Sequence, residues 1–330
     1  MPNDVSPGLP RVAFVFHPRK TDLARLQAKA LFFESAAGWA RSLYYETTQL
    51  HDGGEQAAHA IADGATVVVA VGGDGTVRAV AEALRDSGVA LGVIPQGSGN
   101  VLCRNLGIPI HDIDEQLRAI FSGRSRPLDL GLARITREDG SQTEHGFLVL
   151  AGMGLDARTI RYTNEQLKER LGWLAYVDGG IRTMLKDRPL QIRYSIDGGP
   201  EKSSTVFSVM FGNCGILPGN LLLIPDAKLD DGLLDVISIK PVGPLSWVRI
   251  WSILGWENGV LRRTKTGRKV IDLVNDTRYV NYRTVKQLSL RVDRPEPIQI
   301  DGDDFGMGVA VDCSVDKHGL SIRVLPSWKK

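Results

Sequence analysis

Thr66-Val-Val-Val-Ala-Val71 is a near-continuous apolar run bounded by Gly64 and Gly72, with no polar residue alternating into it. A strand of that kind must be covered on both faces, the condition of a parallel sheet flanked by helices. The neighbouring segments agree. Arg11–Phe16 is a second short apolar run, ending in the turn signal His17-Pro18. Residues 21–40 put Leu23, Leu26, Ala30 and Phe33 on one face of a helix, and Ala57–Ala62 continues helically until Gly64. A helix (Val77–Arg85), a strand (Val89–Ile94) and a helix from about Val101 follow. Alternation at this spacing predicts right-handed βαβ units and a doubly wound, Rossmann-like sheet.

From about Leu128 the pattern becomes β-rich. Leu190–Ile196 before Asp197-Gly198-Gly199, Leu233–Ile239 and Gln287–Val292 read as strands, with helical insertions at about 156–186 and 244–262. The expected organisation is an α/β domain over 1–127 and a β-rich domain over 128–330. The tail, about 319–330, is a candidate to pack back on the first domain.

Composition excludes several classes. The 330 residues carry 40 basic and 38 acidic side chains, a net charge of +2, which argues against nucleic acid as a partner of the whole chain. Hydrophobic content of 43% and charged content of 24% are those of a globular protein rather than a disordered or fibrous one. No apolar run reaches the roughly 18 residues needed to cross a bilayer. Met1–Pro10 has neither the basic nor the apolar region of a secretory signal. Cys103, Cys214 and Cys313 are odd in number and far apart, which suits reduced thiols and a cytoplasmic protein.

Two glycine-rich turns carry the functional signal. Gly72-Gly73-Asp74-Gly75-Thr76 lies between a buried strand and a helix, where glycines admit a ligand close to the backbone and the helix start offers free N–H groups to an anion. Pro95-Gln96-Gly97-Ser98-Gly99-Asn100 follows the next strand. Two such loops on adjacent strands share one sheet edge, where doubly wound folds bind ligands. Either loop alone could be a plain tight turn. The P-loop, the dinucleotide fingerprint and the protein-kinase set are all missing.

Gly72–Thr76, with Ile94-Pro-Gln-Gly-Ser-Gly-Asn100 after it, resembles the diacylglycerol kinase catalytic-domain family, which includes sphingosine kinases, ceramide kinases and bacterial soluble lipid kinases. Ala151-Gly-Met-Gly-Leu-Asp156, Leu171–Tyr176, Ile224–Val236 and Gln299-Ile-Asp-Gly-Asp303 fall in the family's order, so the resemblance runs over nearly 300 residues. It implies an α/β nucleotide domain, a β-sandwich-like domain and an active site in the cleft between them. The implied reaction uses ATP and Mg²⁺ to phosphorylate a membrane lipid, diacylglycerol first, with a sphingoid base or another glycerolipid as alternative acceptors.

The resemblance also implies site residues. ATP would lie on Gly72, Gly73, Asp74, Gly75 and Thr76, with Gly97, Ser98, Gly99 and Asn100 beside it, and His17, Arg19 and Thr48 near the phosphates. Asp301 matches the family's proposed general base, with Asp303 alongside it. Asp231, with the backbone oxygens of Lys228 and Leu233, matches a magnesium site of bacterial members. Asp74 is a second metal ligand by chemistry, since Mg²⁺ favours one or two carboxylates plus phosphate oxygens. Plain alternatives stand beside these roles: Asp74 as a helix-capping residue, Asp301 as a solvated turn aspartate, and Asp230-Asp231-Gly232 as a hairpin turn. The chain departs from the family at His17 (usually Asn), Arg78-Ala79 (often Asn-Glu), Val101 (often Asp) and Asp303 (usually Glu).

Trp247, Ile250, Trp251 and Leu254 form a helically spaced stripe, and residues 245–286 hold nine basic against three acidic side chains, an excess of 9 − 3 = +6. That combination suits transient contact with an anionic membrane surface, or else a core-packing helix with a solvated basic face. A peripherally associated enzyme is the expectation, with a homodimer open. Outside lipid kinases, the sequence leaves an NAD kinase, which shares Gly-Gly-Asp-Gly, and a catalytically silent lipid- or nucleotide-binding regulator.

Overall fold

A computed structural model describes residues 8–48, 52–154, 189–217, 221–222, 224, 227–240 and 280–328. The Trp247/Trp251 stripe, the two helical insertions and the 171–176 motif lie outside the described residues. The chain divides into two compact units, Met1–Leu128 with His318–Lys330, and Asp129–Lys317.

In the first unit, β1 (Val12–Phe16), β2 (Leu43–Glu46), β3 (Val67–Gly72) and β4 (Ala90–Pro95) form a parallel sheet in the order β2-β1-β3-β4. Every residue of β1, β3 and β4 is buried, as the unbroken apolar runs require. On one face, Val12, Phe14 and Phe16 of β1 and Val67, Val69 and Val71 of β3 pack with Leu26 and Ala30 of α1 (Leu23–Ala37) and Leu117, Ile120 and Phe121 of α5 (Ile113–Ser122). On the other, the start of α2 (Gly54–Ala62) sits over Val15 and Val80, the latter on α3 (Asp74–Leu84). Asp22 and Asp112 cap α1 and α5 by accepting from Arg25 N and Glu115 N, both at 3.0 Å. A short α4 (Val101–Leu106) follows β4.

The second unit is antiparallel and β-sandwich-like. Its strands are β5 (Arg124–Thr136), β6 (Gln142–Phe147), β7 (Leu150–Gly154), β8 (Leu190–Ile196), β9 (Lys202–Val206), β10 (Ser208–Gly212), β11 (Ile216–Leu217), β12 (Leu221–Leu222), β13 (Leu234–Ile239), β14 (Val280–Val285), β15 (Gln287–Ile300) and β16 (Asp303–Val324). One run of pairing is β14-β13-β10-β7-β15; β15 also pairs with β8 and β16, β8 with β9, and β5 with β6. The long β15 serves both groups. Residues 288–292 pair with β8, residues 298–300 pair with β7, and the register against β16 shifts between them. Pro295 and Pro297 lie at that break, where a residue without an N–H interrupts the ladder. A single core joins Phe147, Met153, Ile192, Phe211, Leu290 and Ile300 from both groups. The start of β5, up to Leu128, and the last part of β16, from His318, belong to the first unit, where Ile322 runs parallel to Leu91 of β4.

Candidate active site

The order β2-β1-β3-β4 reverses between β1 and β3, so the crevice of the parallel sheet opens beyond the carboxyl ends of these two strands. The turn at His17 follows β1, Gly72–Thr76 follows β3, and Gln96–Asn100 follows β4. Thr47 N donates to Phe16 O at 2.9 Å, which brings the exposed Thr48 to the same edge. The sheet therefore gathers every first-domain residue implied by the resemblance.

Within that edge the loops are tied together. Gln96 N donates to Gly72 O at 2.8 Å, and Thr21 Oγ1 donates to Gln96 Oε1 at 2.8 Å. A Cβ on Gly97 would fall 2.7 Å from Gly73 Cα, so the two glycine loops meet backbone to backbone and a side chain there would part them. Asp74 Oδ1 accepts from Val101 N at 2.7 Å. The aspartate that begins α3 thus serves the start of α4, a tertiary bond that a helix-capping reading does not contain. Asn100 is buried, sits at φ 47° and ψ 47°, accepts from Gly97 N at 2.9 Å and donates to Gly97 O at 2.6 Å. Its amide therefore fixes the second loop from within. Arg104 Nε holds Gly99 O at 2.8 Å.

His17 Nδ1 accepts from Arg19 N at 3.2 Å, and its carbonyl accepts from Lys20 N and Thr21 N, so the ring closes its own turn. Burial, then the Asp74 carboxylate, pushes the Cys103 thiol from 9.0 up to about 12, with Arg104 acting in the opposite direction.

In the second unit, Asp301-Gly302 makes the tight turn between β15 and β16, with Ile300 paired to Asp303. Asp301 is only half-buried, yet its carboxylate accepts from Leu148 N, Val149 N and Leu150 N at 2.9, 2.9 and 2.8 Å. It is therefore not the solvated turn aspartate of the plain reading. Asp303 is exposed. Asp231 Oδ1 accepts from Leu233 N at 3.0 Å in a bend before β13. The strands paired to β13 are β10 and β14, so this bend is not the hairpin turn of the plain reading. Lys228 is exposed and Leu233 half-buried beside it. Among the described residues no group of three or more His, Cys, Asp or Glu side chains forms a metal cluster.

Sequence reading missed Asp129, which is fully buried, accepts from Gly232 N at 2.6 Å and donates through its own N to Leu229 O at 2.8 Å. A single acid between Leu128 and Leu130, in a segment otherwise reading as core, was the available signal. Asn213, also buried, donates to Asp129 O at 3.1 Å.

Two glycine loops held backbone to backbone at the edge of a doubly wound sheet, followed by a β-sandwich-like unit, define a two-domain protein of the α/β class. Residues 20–133 match the diacylglycerol kinase catalytic domain, and residues 149–314 match the YegS C-terminal NAD kinase beta sandwich-like domain. The chain belongs to the family of diacylglycerol kinases and YegS-like lipid kinases. It is similar to the diacylglycerol kinase of Bacillus subtilis, 28% identical over 73% of this chain and 72% of that one. It is 32% identical to a "Probable lipid kinase YegS-like" of Xanthomonas euvesicatoria pv. vesicatoria, over 64% of this chain and 68% of the relative. A diacylglycerol kinase of Mycobacterium tuberculosis is 31% identical, but the match covers 56% of this chain and 59% of the relative's length. Among solved structures, a diacylglycerol kinase from Bacillus anthracis superposes with a TM-score of 0.72 at 21% identity, over 97% of this chain and 98% of that one. An NAD kinase from Archaeoglobus fulgidus shares the fold more distantly, with a TM-score of 0.51 at 11% identity over 96% and 94% of the two chains.

Proposed function

We propose that this protein transfers the γ-phosphate of ATP to a hydroxyl of a membrane lipid, diacylglycerol before a sphingoid base or another glycerolipid. The observation that carries this reading is the bridged pair of glycine loops after β3 and β4, on the carboxyl edge of the sheet beside its switch point. Such a pair cradles phosphates through backbone N–H groups, while the start of α3 favours their charge. Phosphoryl transfer needs little else from the protein than positioning and charge neutralisation. The relatives' names favour a lipid as the acceptor.

The residues suit Mg²⁺. A Cβ on Gly99 would fall 2.6 Å from Asp74 Oδ2, so a glycine there leaves the carboxylate its room. One hard oxygen ligand beside a phosphate cradle is the donor set this ion favours. Asp74 would hold it, and the bound ion would neutralise developing charge on the phosphates. Asp231, with the carbonyls of Lys228 and Leu233, is the proposed second magnesium site. The acceptor hydroxyl also loses a proton as its bond to phosphorus forms, and Asp301 and Asp303 are the two candidates to receive it.

Contact with an anionic membrane surface through the Trp247 stripe belongs to the same proposal. Among the described residues no helix is long and apolar enough to cross a membrane. The distant likeness to an NAD kinase supports a second reading with NAD as the acceptor. ADP release should be measured with a panel of diacylglycerol, sphingosine, ceramide and NAD in mixed micelles. Lipid-dependent release with a phosphorylated lipid product is expected. Phosphorylation of NAD alone would overturn the lipid reading, and ATP binding without turnover on any acceptor would point to a regulator.

A further inference from the structure

The backbone arrangement at Asp301 occurs a second time in the same unit. Asp197-Gly198 and Asp301-Gly302 are both tight turns whose two central residues have positive φ, 50° and 72° in the first, 49° and 90° in the second. Asp-Gly is the pair best suited to that conformation. Asp197 N donates to Gln287 O at 3.0 Å, and its Oδ1 accepts from Lys286 N and Gln287 N, both at 2.9 Å. Asp301 N donates to Leu150 O at 2.8 Å, and its Oδ1 accepts from Val149 N and Leu150 N at 2.9 and 2.8 Å. The two sets correspond bond for bond.

Each aspartate grips the first residue of a strand, Gln287 of β15 or Leu150 of β7, together with the residue before it. Asp197 has no place in the proposed chemistry, so this grip is a folding device that needs no catalytic explanation. Asp301 extends it by one bond, from Leu148 N to Oδ2 at 2.9 Å. The same segment is held from its carbonyl side as well. Val149 O accepts from Asn213 N at 2.9 Å and Cys214 N at 3.3 Å, and Leu148 O accepts from Cys214 Sγ at 3.2 Å.

A carboxylate oxygen has two lone pairs in its plane, and Oδ1 of Asp301 directs both at N–H groups. Taking up a proton there would set donor against donor, and a proton on Oδ2 would compete with the bond from Leu148 N. We propose that Asp301 is a positioning residue that fixes the Leu148–Leu150 backbone at the start of β7, and that it is not the acceptor of the substrate proton. This rests on the lipid-kinase reading for its kinetic consequence, while its structural half stands alone.

Asp301→Asn separates the two roles. The Asn oxygen can still accept from Val149 N and Leu150 N, as Asp197 does with its two donors, but the side chain cannot take a proton. Lipid-dependent kcat, its pH profile, thermal unfolding and amide hydrogen exchange at Leu148–Leu150 should be measured for wild type, Asp301→Asn and Asp301→Ala. The clamp predicts a fall in kcat below about 10-fold for Asp301→Asn with the pH profile retained, and faster exchange at Leu148. Asp301→Ala should lose more of both, along with a lower Tm. A fall of about 10²–10⁴-fold in Asp301→Asn at wild-type Tm, with the acidic limb of the profile gone, is the signature of a lost base and would overturn the proposal. Should the wild type turn over no lipid, the lipid-kinase reading fails separately and exchange decides the clamp. Protection at Leu148 unchanged in Asp301→Asn and Asp301→Ala would then refute it, and Asp301→Asn keeps that test open if Asp301→Ala does not fold.

Discussion

Asp74 Oδ1 accepts a 2.7 Å hydrogen bond from Val101 N, 27 residues further along the chain. The bond makes the residue proposed to hold Mg²⁺ also the one that ties the first glycine loop to the helix after the second. A hydrogen bond to a charged group contributes about 1.5–3 kcal/mol, against about 0.5–1.5 for a neutral one.

Asp74→Asn can keep this bond in neutral form and should cost about 1 kcal/mol of stability, whereas Asp74→Ala should cost about 1.5–3 kcal/mol. Both should lose turnover by roughly 10²-fold or more, since neither supplies a charged oxygen to the metal. Denaturant unfolding and turnover across a Mg²⁺ titration check this. Near-normal turnover in a folded Asp74→Asn would reduce the residue to a tether.

The Gly73–Gly97 contact predicts different failures on its two sides. In Gly97→Ala the new methyl lies 2.7 Å from Gly73 Cα and 3.1 Å from Asn100 Oδ1, so the loops must separate, at about 1–3 kcal/mol. A Cβ on Gly73 meets Gly97 Cα at 3.4 Å, so Gly73→Asp should fold while its charge repels the phosphates. Calorimetry with a non-hydrolysable Mg-ATP analogue should give weakened binding for Gly97→Ala and none for Gly73→Asp. Unchanged affinity in Gly73→Asp would place the nucleotide elsewhere.

At Asn100, the N-cap of α4, Ala and Gly should rank in the reverse of their order inside a helix. Both substitutions remove the two bonds to Gly97, but Ala also carries about 1–2 kcal/mol for the left-handed backbone at φ 47°. Asn100→Gly should therefore unfold at a higher temperature than Asn100→Ala, and both should raise KM for ATP. An Ala variant as stable as the Gly variant would mean that the loop relaxes out of this conformation.

Cys103 sets an alkaline limit on the first unit. Its thiol is pushed from 9.0 up to about 12 in the fold, by burial before the Asp74 charge, so the folded state favours the protonated form. That contribution is whole below about pH 9, the unfolded value, and is lost as pH rises through about 12. The stability of Cys103→Ala should decline less steeply between pH 9 and 11 than that of wild type. Parallel decline of the two proteins would assign the alkaline transition to other groups, such as Tyr44, also raised to about 12 by burial.

The parallel sheet and its two glycine turns were legible in the chain because both are local. Apolar runs such as Val67–Val71 declare burial on two faces, and glycines directly after them mark where the backbone is approached. The edge strand β2 (Leu43–Glu46) escaped that reading because its residues are at most half-buried and form no apolar run. The residue types of the site were legible too, but their employment was not. Asp74 and Asp301 each look in sequence like a turn aspartate, and Asp129 is a single acid in a run that otherwise reads as core. Their partners are Val101, Gly232 and Leu148–Leu150, respectively 27, 103 and up to 153 residues away. Hydrogen bonding depends on atoms brought within about 3 Å, and separation along the chain carries no information about that distance. The sequence by itself therefore determined where the loops are and what chemistry their residues can offer. Which oxygen of which aspartate faces which N–H was decided only when the strands had paired.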